Sequence, residues 1–162
     1  MPREPDSDVL RSSIVDRLIA PSRSGGAVHG TSVRELREAV ARDLEWLLNT
    51  RIWYPWENLD RLEEARASIL TYGMPELSTF SWSAPEDART IAGLIEKAVR
   101  TFEPRLLPRS VKCEVLPSRD VSDFSLRIRI EAILQVDPIS EPVAFDTGLD
   151  FGGGGLRIES FE

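Results

Sequence analysis

The stretch RTFEPRLLPRSVKCEV, residues 100–115, is where the chain changes its period. Upstream of it, Ile91, Leu94, Ile95, Ala98 and Phe102 recur at three- and four-residue steps. That spacing predicts an amphipathic helix from about residue 85 to 102. Downstream, VKCEV sets Val111, Cys113 and Val115 against Lys112 and Glu114. LRIRIEA likewise sets Leu126, Ile128, Ile130 and Ala132 against Arg127, Arg129 and Glu131. A period of two predicts half-buried strands. Pro104 stands at the change and disfavours helical geometry at Glu103, so the helix should stop there.

The polar PSRDVSD between the two strand patterns predicts a β-hairpin. PVAFDTGLDF reads as a less regular third strand, Gly152 to Gly155 as a loop tip, and LRIES as a short final strand. Helical patterns thus precede strand patterns. The expected class is α+β, N-terminal helices followed by a small, mainly antiparallel β-sheet.

Toward the N-terminus, Ser32 and Glu35 form a Ser-x-x-Glu capping box. Val33, Leu36, Val40, Leu44, Leu47 and Leu48 follow at helical spacing, with Arg34, Arg37, Glu38, Arg42 and Glu45 between them. RLEEARASILTY, residues 61–72, also reads as a helix, ended by Gly73 and kept from continuing by Pro75. Ser83 and Glu86 make a second candidate capping box, with Pro85 in the first turn. The loop NTRIWYPWENLD carries Trp53, Tyr54, Pro55 and Trp56. It is read either as a lid over one end of the core or as a docking surface, since Trp and Tyr are favoured interface anchors.

Residues 1–8 are polar and proline-containing and read as a disordered tail. Residues 9–30 combine a short amphipathic segment, with Val9, Leu10, Ile14, Leu18 and Ile19 near one face, and the linker APSRSGGAVHG. Residues 31–162 are expected to form a single domain. The chain has 162 residues, 41% of them hydrophobic and 29% charged, the balance of a globular protein with its own core. No apolar run approaches the length of a membrane span, and MPREPDSDVL lacks the apolar region of a signal peptide. A cytoplasmic protein is expected.

The net charge of −7 argues against nucleic acid, which selects basic surfaces. One histidine, His29, and one cysteine, Cys113, make neither a disulfide nor a typical zinc site, so no metal and no cofactor are expected. A Cys–His nucleophile would need His29, in a Gly/Ser-rich stretch, to meet Cys113 in a strand. Glycoside hydrolysis needs two carboxylates flanking a cleft, one of them protonated. Glu103 could be one, and Asp146, Asp150 or Glu131 the other. However, 27 acids in 162 residues offer such pairs by chance, and Arg105 beside Glu103 favours the ionised form, the wrong one for a general acid. No Walker A loop or Gly-x-Gly-x-x-Gly turn is present, and the four-glycine run lacks the lysine and following helix of a phosphate site.

For Glu103, Pro104 and Arg105 themselves, two readings stay open on physical grounds. Proline can end the helix while Arg105 complements its C-terminal dipole. Alternatively, the corner can hold two opposite charges in a fixed frame, with the arginine fork free to grip a partner's carboxylate or carbonyl.

FEPRL after an amphipathic helix, YGMPEL before that helix and FDTGLD beyond it are together distinctive. With residues 32–51, 68–78, 95–115, 126–136 and 142–158, they resemble the TssE family. These are small wedge subunits of type VI secretion baseplates, grouped with the small wedge proteins of contractile phages and formerly labelled lysozyme-like. RIWYPWEN departs from the short, basic, polar loop usual there. The resemblance implies a structural baseplate subunit with no enzymatic activity and no cofactor. It would join TssF and TssG, template the TssB/TssC sheath and meet other baseplate components such as TssK at the cytoplasmic face of the inner membrane. Neither nucleic acid nor membrane insertion is implied. The family's glutamate–proline–arginine motif falls on Glu103, Pro104 and Arg105, which it makes partner-binding residues. A peptidoglycan hydrolase and a free regulatory binding module of the same fold are the alternatives.

Overall fold

A computed structural model describes residues 32–53, 59, 62, 64–81, 84–117, 125–136, 139–150 and 155–161. Helix α1 spans Val33–Asn49 and helix α2 spans Pro85–Phe102. Four strands follow: β1 (Lys112–Leu116), β2 (Ser125–Val136), β3 (Ile139–Asp150) and β4 (Gly155–Phe161). They form one sheet in the order β1-β2-β3-β4, every neighbour antiparallel. Helices first and an antiparallel sheet after them is the expected α+β order.

The Ser32 box is present: the Ser32 hydroxyl accepts from the Glu35 N–H, and Glu35 accepts from the Ser32 N–H at 2.8 Å. At the start of α2 Ala84 is the N-cap, with Pro85 opening the first turn, and Ser83 of the candidate capping box lies outside the described residues. Between the helices the chain is not one helix over 61–72. It makes two short 3₁₀ turns, Glu64–Ala67 and Ile69–Thr71, the second capped by Ser68. Thr71, fully buried, draws this part into a tight coil through its hydroxyl, which donates to the Arg66 carbonyl at 2.8 Å. Ile69 points outward, 87% exposed. In the aromatic loop Trp53 is 84% exposed, so it does not close the core, while Tyr54, Pro55 and Trp56 lie outside the described residues. So do His29 and the segments read at 1–8 and 9–30.

The core fills the space between the helices and one face of the sheet. Leu36, Val40, Leu44 and Leu47 of α1 meet Ile91, Ile95, Ala98 and Val99 of α2 and the strand residues Ile128, Ile130, Leu134 and Phe145. Helix α1 lies chiefly on β4, and α2 on β1. The opposite sheet face carries the other alternation, and there Asp146 is clamped by Arg129 at 2.7 and 3.0 Å. Among the described residues no helix is long and apolar enough to cross a membrane.

Helix side chains also close sheet edges. Glu96 accepts the outward N–H of Cys113 at 3.1 Å, and Arg100 donates to the Val111 carbonyl at 2.8 Å. Where β1 has not begun, the turn after α2 covers β2 instead. The Leu107 N–H donates to the Ile133 carbonyl, the Ile133 N–H to the Ser110 hydroxyl and the Gln135 N–H to the Arg105 carbonyl. On the far side Glu45 of α1 accepts from the Ile158 N–H of β4 at 3.4 Å. Unpaired edges invite association, and these contacts suppress it.

Gly73 has φ 120°, and a Cβ there would lie 2.3 Å from the Thr50 carbonyl oxygen. Gly93 sits on the exposed side of α2, where a Cβ meets nothing within 4 Å. Gly73→Ala is therefore expected to lower unfolding free energy by about 1–3 kcal/mol, and Gly93→Ala to raise it by about 0.5–1 kcal/mol. Denaturant unfolding of the two variants checks both signs.

Candidate functional site

The corner after α2 is built by the residues that end the helix. Glu103 is the C-cap, its N–H donating to the Val99 carbonyl. Pro104 fixes its own φ and forces the turn. The turn is closed by the Leu106 N–H donating to the Glu103 carbonyl at 3.2 Å. Arg105 then folds back over Glu103. Its Nε donates to Oε1 at 2.7 Å, its Nη2 to Oε2 at 2.5 Å, and its main-chain N–H to Oε1 at 3.1 Å. The same Nη2 donates to Asp43 Oδ2 at 2.6 Å, which ties the corner to α1.

The arginine fork is therefore engaged within the chain and does not extend freely from the corner. Glu103 is only 4% exposed. Burial alone would lower the pKa of the Arg105 guanidinium. The hydrogen bonds and charge of Glu103, then those of Asp43, outweigh burial and hold it above the ordinary arginine value. Arg105 Nη1 is buried and has no hydrogen-bond partner among the described residues. Asp43 also receives Arg42 at 2.9 and 3.1 Å, and the Arg42 guanidinium lies 5.1 Å from the centre of the Trp46 ring.

Beside this charged cluster runs a cleft of about 410 Å³ walled by Trp46, Tyr72, Phe102 and Pro104. Tyr72 and Phe102 meet edge to face, ring centres 5.3 Å apart. Burial, then the charges of Asp43 and Glu103, push the Tyr72 hydroxyl above its ordinary value, so it stays a neutral donor. Trp46 is 49% exposed at the rim.

The acid that meets Glu103 through Arg105 is Asp43, which the reading of the sequence did not single out. A signal was present: Asp43 lies three residues after Val40, four before Leu47 and seven after Leu36, an acid on an apolar stripe. Of the carboxylates considered as partners of Glu103, Asp146 and Glu131 lie elsewhere, and the side chain of Asp150 is outside the described residues. Asp146 is clamped by Arg129, and Glu131 is exposed on the face turned from the helices. Cys113 is held protonated. Burial and then Glu96, opposed by Arg100, push its thiol up to about 12.

Residues 34–139 match the family of baseplate wedge protein gp25, and the chain belongs to that family. The match takes in both helices and the corner, including the stretches 68–78, 95–115 and 126–136, and stops before most of β3. No curated protein and no solved structure matches the chain.

Arg105→Ala leaves Glu103 buried without the cation its two oxygens accept from, while Asp43 keeps Arg42. The expected loss is about 2–3 kcal/mol, below that of a fully enclosed pair because Arg105 keeps 22% of its side-chain surface. Arg105→Lys should recover only part of it, since an ammonium cannot make the two parallel bonds. Thermal melting of both variants tests this. For Cys113, iodoacetamide at pH 8 is expected to label the native protein at least about tenfold more slowly than the urea-unfolded chain.

Proposed function

We propose that this protein is a structural subunit of a type VI secretion baseplate, without enzymatic activity. In this reading it joins TssF and TssG in the wedge and templates the TssB/TssC sheath at the cytoplasmic face of the inner membrane. Contacts extend to other baseplate components such as TssK. Membership of the wedge protein family supports the structural role, because that family builds baseplates. The corner of Glu103, Pro104 and Arg105 is proposed as the partner-binding site, and the aromatic cleft beside it is the observation that carries this.

In that site the charged residues and the aromatic residues divide the work. Arg105 and Glu103 hold the shape of the corner, since their polar atoms bond to each other and to Asp43. The exposed rim, Trp46 and Pro104, is left to touch the partner. Half-exposed aromatic residues next to a rigid, desolvated pocket are the usual hot spots of an interface. A hydrolase reading finds no support here. A general acid needs a proton and access to the leaving oxygen, whereas both oxygens of Glu103 already accept from Arg105 and the residue is buried.

Strand addition is the mode of sheath templating that this sheet allows. The pairing fixes which main-chain groups face outward. Cys113 turns its N–H away from β2, so Val115, two residues on, does so too. On the other side, β3 runs past β4, whose last partner is Ala144, and leaves residues 139–143 beyond it. Pro142 there has no N–H, and the even-numbered Ser140 carries the outward one.

Trp46→Ala is expected to weaken binding to a TssF–TssG pair by about 30-fold or more, equivalent to about 2 kcal/mol. Its melting should shift far less than that of Arg105→Ala. Unchanged affinity would remove the cleft from the interface. For the sheet, Val115→Pro and Ser140→Pro each delete one outward donor without breaking a ladder bond. One of the two should stop sheath nucleation in vitro while melting stays cooperative. Normal nucleation by both would exclude templating at these edges.

A further inference from the structure

A second groove, of about 570 Å³, opens on the sheet away from the corner. Lys112, Glu131, Ile133, Pro142 and Ala144 line it and share the sheet face turned from the helices. Arg37, in the second turn of α1, lines it as well. Its wall is mainly apolar, with Ile133 and Ala144 only partly covered. Nothing in the docking reading uses it.

Position in the chain says what can reach it. The described part of the chain begins at Ser32, five residues before Arg37, a helical rise of only about 8 Å. Residues 20–31 link that point to the stretch VLRSSIVDRLI, residues 9–19. A random-coil chain of that length would have a mean span of about 20 Å and a reach of at most about 40 Å. Leu10, Ile14 and Leu18 recur at four-residue steps, one apolar stripe of a helix. Eleven residues are too few for a helix to stand alone in water, so such a stripe needs a surface to fold on. A tether this short holds the segment near the groove at an effective concentration in the millimolar range.

We infer that the groove on the outer sheet face is the docking site of the chain's own residues 9–19, packed through Ile14, Leu18 and their apolar neighbours. The segment covers Ile133, Pro142 and Ala144 and leaves Asp16, on the opposite side of that stripe, to solvent, with Arg11 and Arg17 at the margins of the contact. The inference is independent of the baseplate reading, because it rests on the groove, the linker length and the apolar stripe alone.

Disulfide trapping in the full chain tests it. Leu18→Cys and Ala144→Cys are combined in a Cys113→Ala background. The control pairs Leu18→Cys with Arg89→Cys, an exposed position on α2. Under mild oxidation the groove pair should close within one chain at least about tenfold faster than the control. Adding Ile14→Glu should abolish that advantage while the melting transition is kept, which separates docking from mere nearness on a tether. Equal rates for the two pairs overturn the inference and leave the groove to another protein. Covalent dimers that dominate and grow with protein concentration also overturn it, and assign the groove to the segment of a second copy.

Discussion

One arginine joins three layers of this fold. The Arg105 side chain holds Glu103 at the end of α2 and Asp43 in the middle of α1, while its carbonyl accepts the Gln135 N–H of β2. Next to it Leu106, fully buried, bridges to Leu134. The direction in which α2 leaves the sheet, and the distance between the two helices, are thus both fixed at the same corner. Pro104 makes this possible because it stops the helix at a residue whose side chain can turn inward rather than continue along the helix face.

Such a corner is a poor way to gain stability and a good way to fix geometry. Taking two carboxylates and a guanidinium out of water costs several kcal/mol per ion, and their attraction does little more than offset it. Well-packed apolar residues would hold the helices at least as tightly. They would not hold them in one register, because apolar contacts slide where a bidentate arginine does not. A protein whose task is to set the relative position of its neighbours has use for that rigidity, and the aromatic cleft inherits its shape from it. Trp46 is one turn beyond Asp43, and Phe102 immediately precedes Glu103, so two of the three aromatic walls are attached to the residues the arginine clamps.

Local patterns in the sequence located both long helices and all four strands; the burial period is cleanest in the helices and in β2, whose even-numbered residues 126–134 are buried. Two kinds of feature escaped. Residues 61–72 have helical composition, yet the chain there is held by Thr71 bonding back to Arg66 and by Gly73 passing against Thr50, the second a contact that no local window contains. The site was legible only in part. Glu103, Pro104 and Arg105 drew attention as neighbours in sequence, whereas Asp43 is 62 positions from Arg105 and enters through the tertiary fold alone. Of the two open readings of the corner, one left the arginine fork free for a partner; in the fold its acceptors are Glu103 and Asp43, at the two helices. At the start of α2, Pro85 opens the first turn after Ala84 as the N-cap, and Asp87 accepts from the Ser81 N–H.

The same helix that ends at the corner also guards the sheet. Glu96 and Arg100 stand one turn apart on α2, bonded to each other at 2.7 Å, and each reaches an outward group of the β1 edge. Glu103 lies one turn further along. A single line of charged residues beside the apolar stripe therefore carries two functions, closing the first half of an edge strand and then turning the chain at the clamp. It follows that the edge left open is set by where that line runs out. Beyond Cys113 the turn of α2 before Glu96 offers only Ala92, buried in the core, and Gly93, which has no side chain to reach β1. Openness at Val115 is then a consequence of how far α2 overlaps β1, and that overlap is determined at Pro104. The corner and the edge are coupled by one helix axis: a substitution that swings α2 about Glu103 would move the guards and the cleft together.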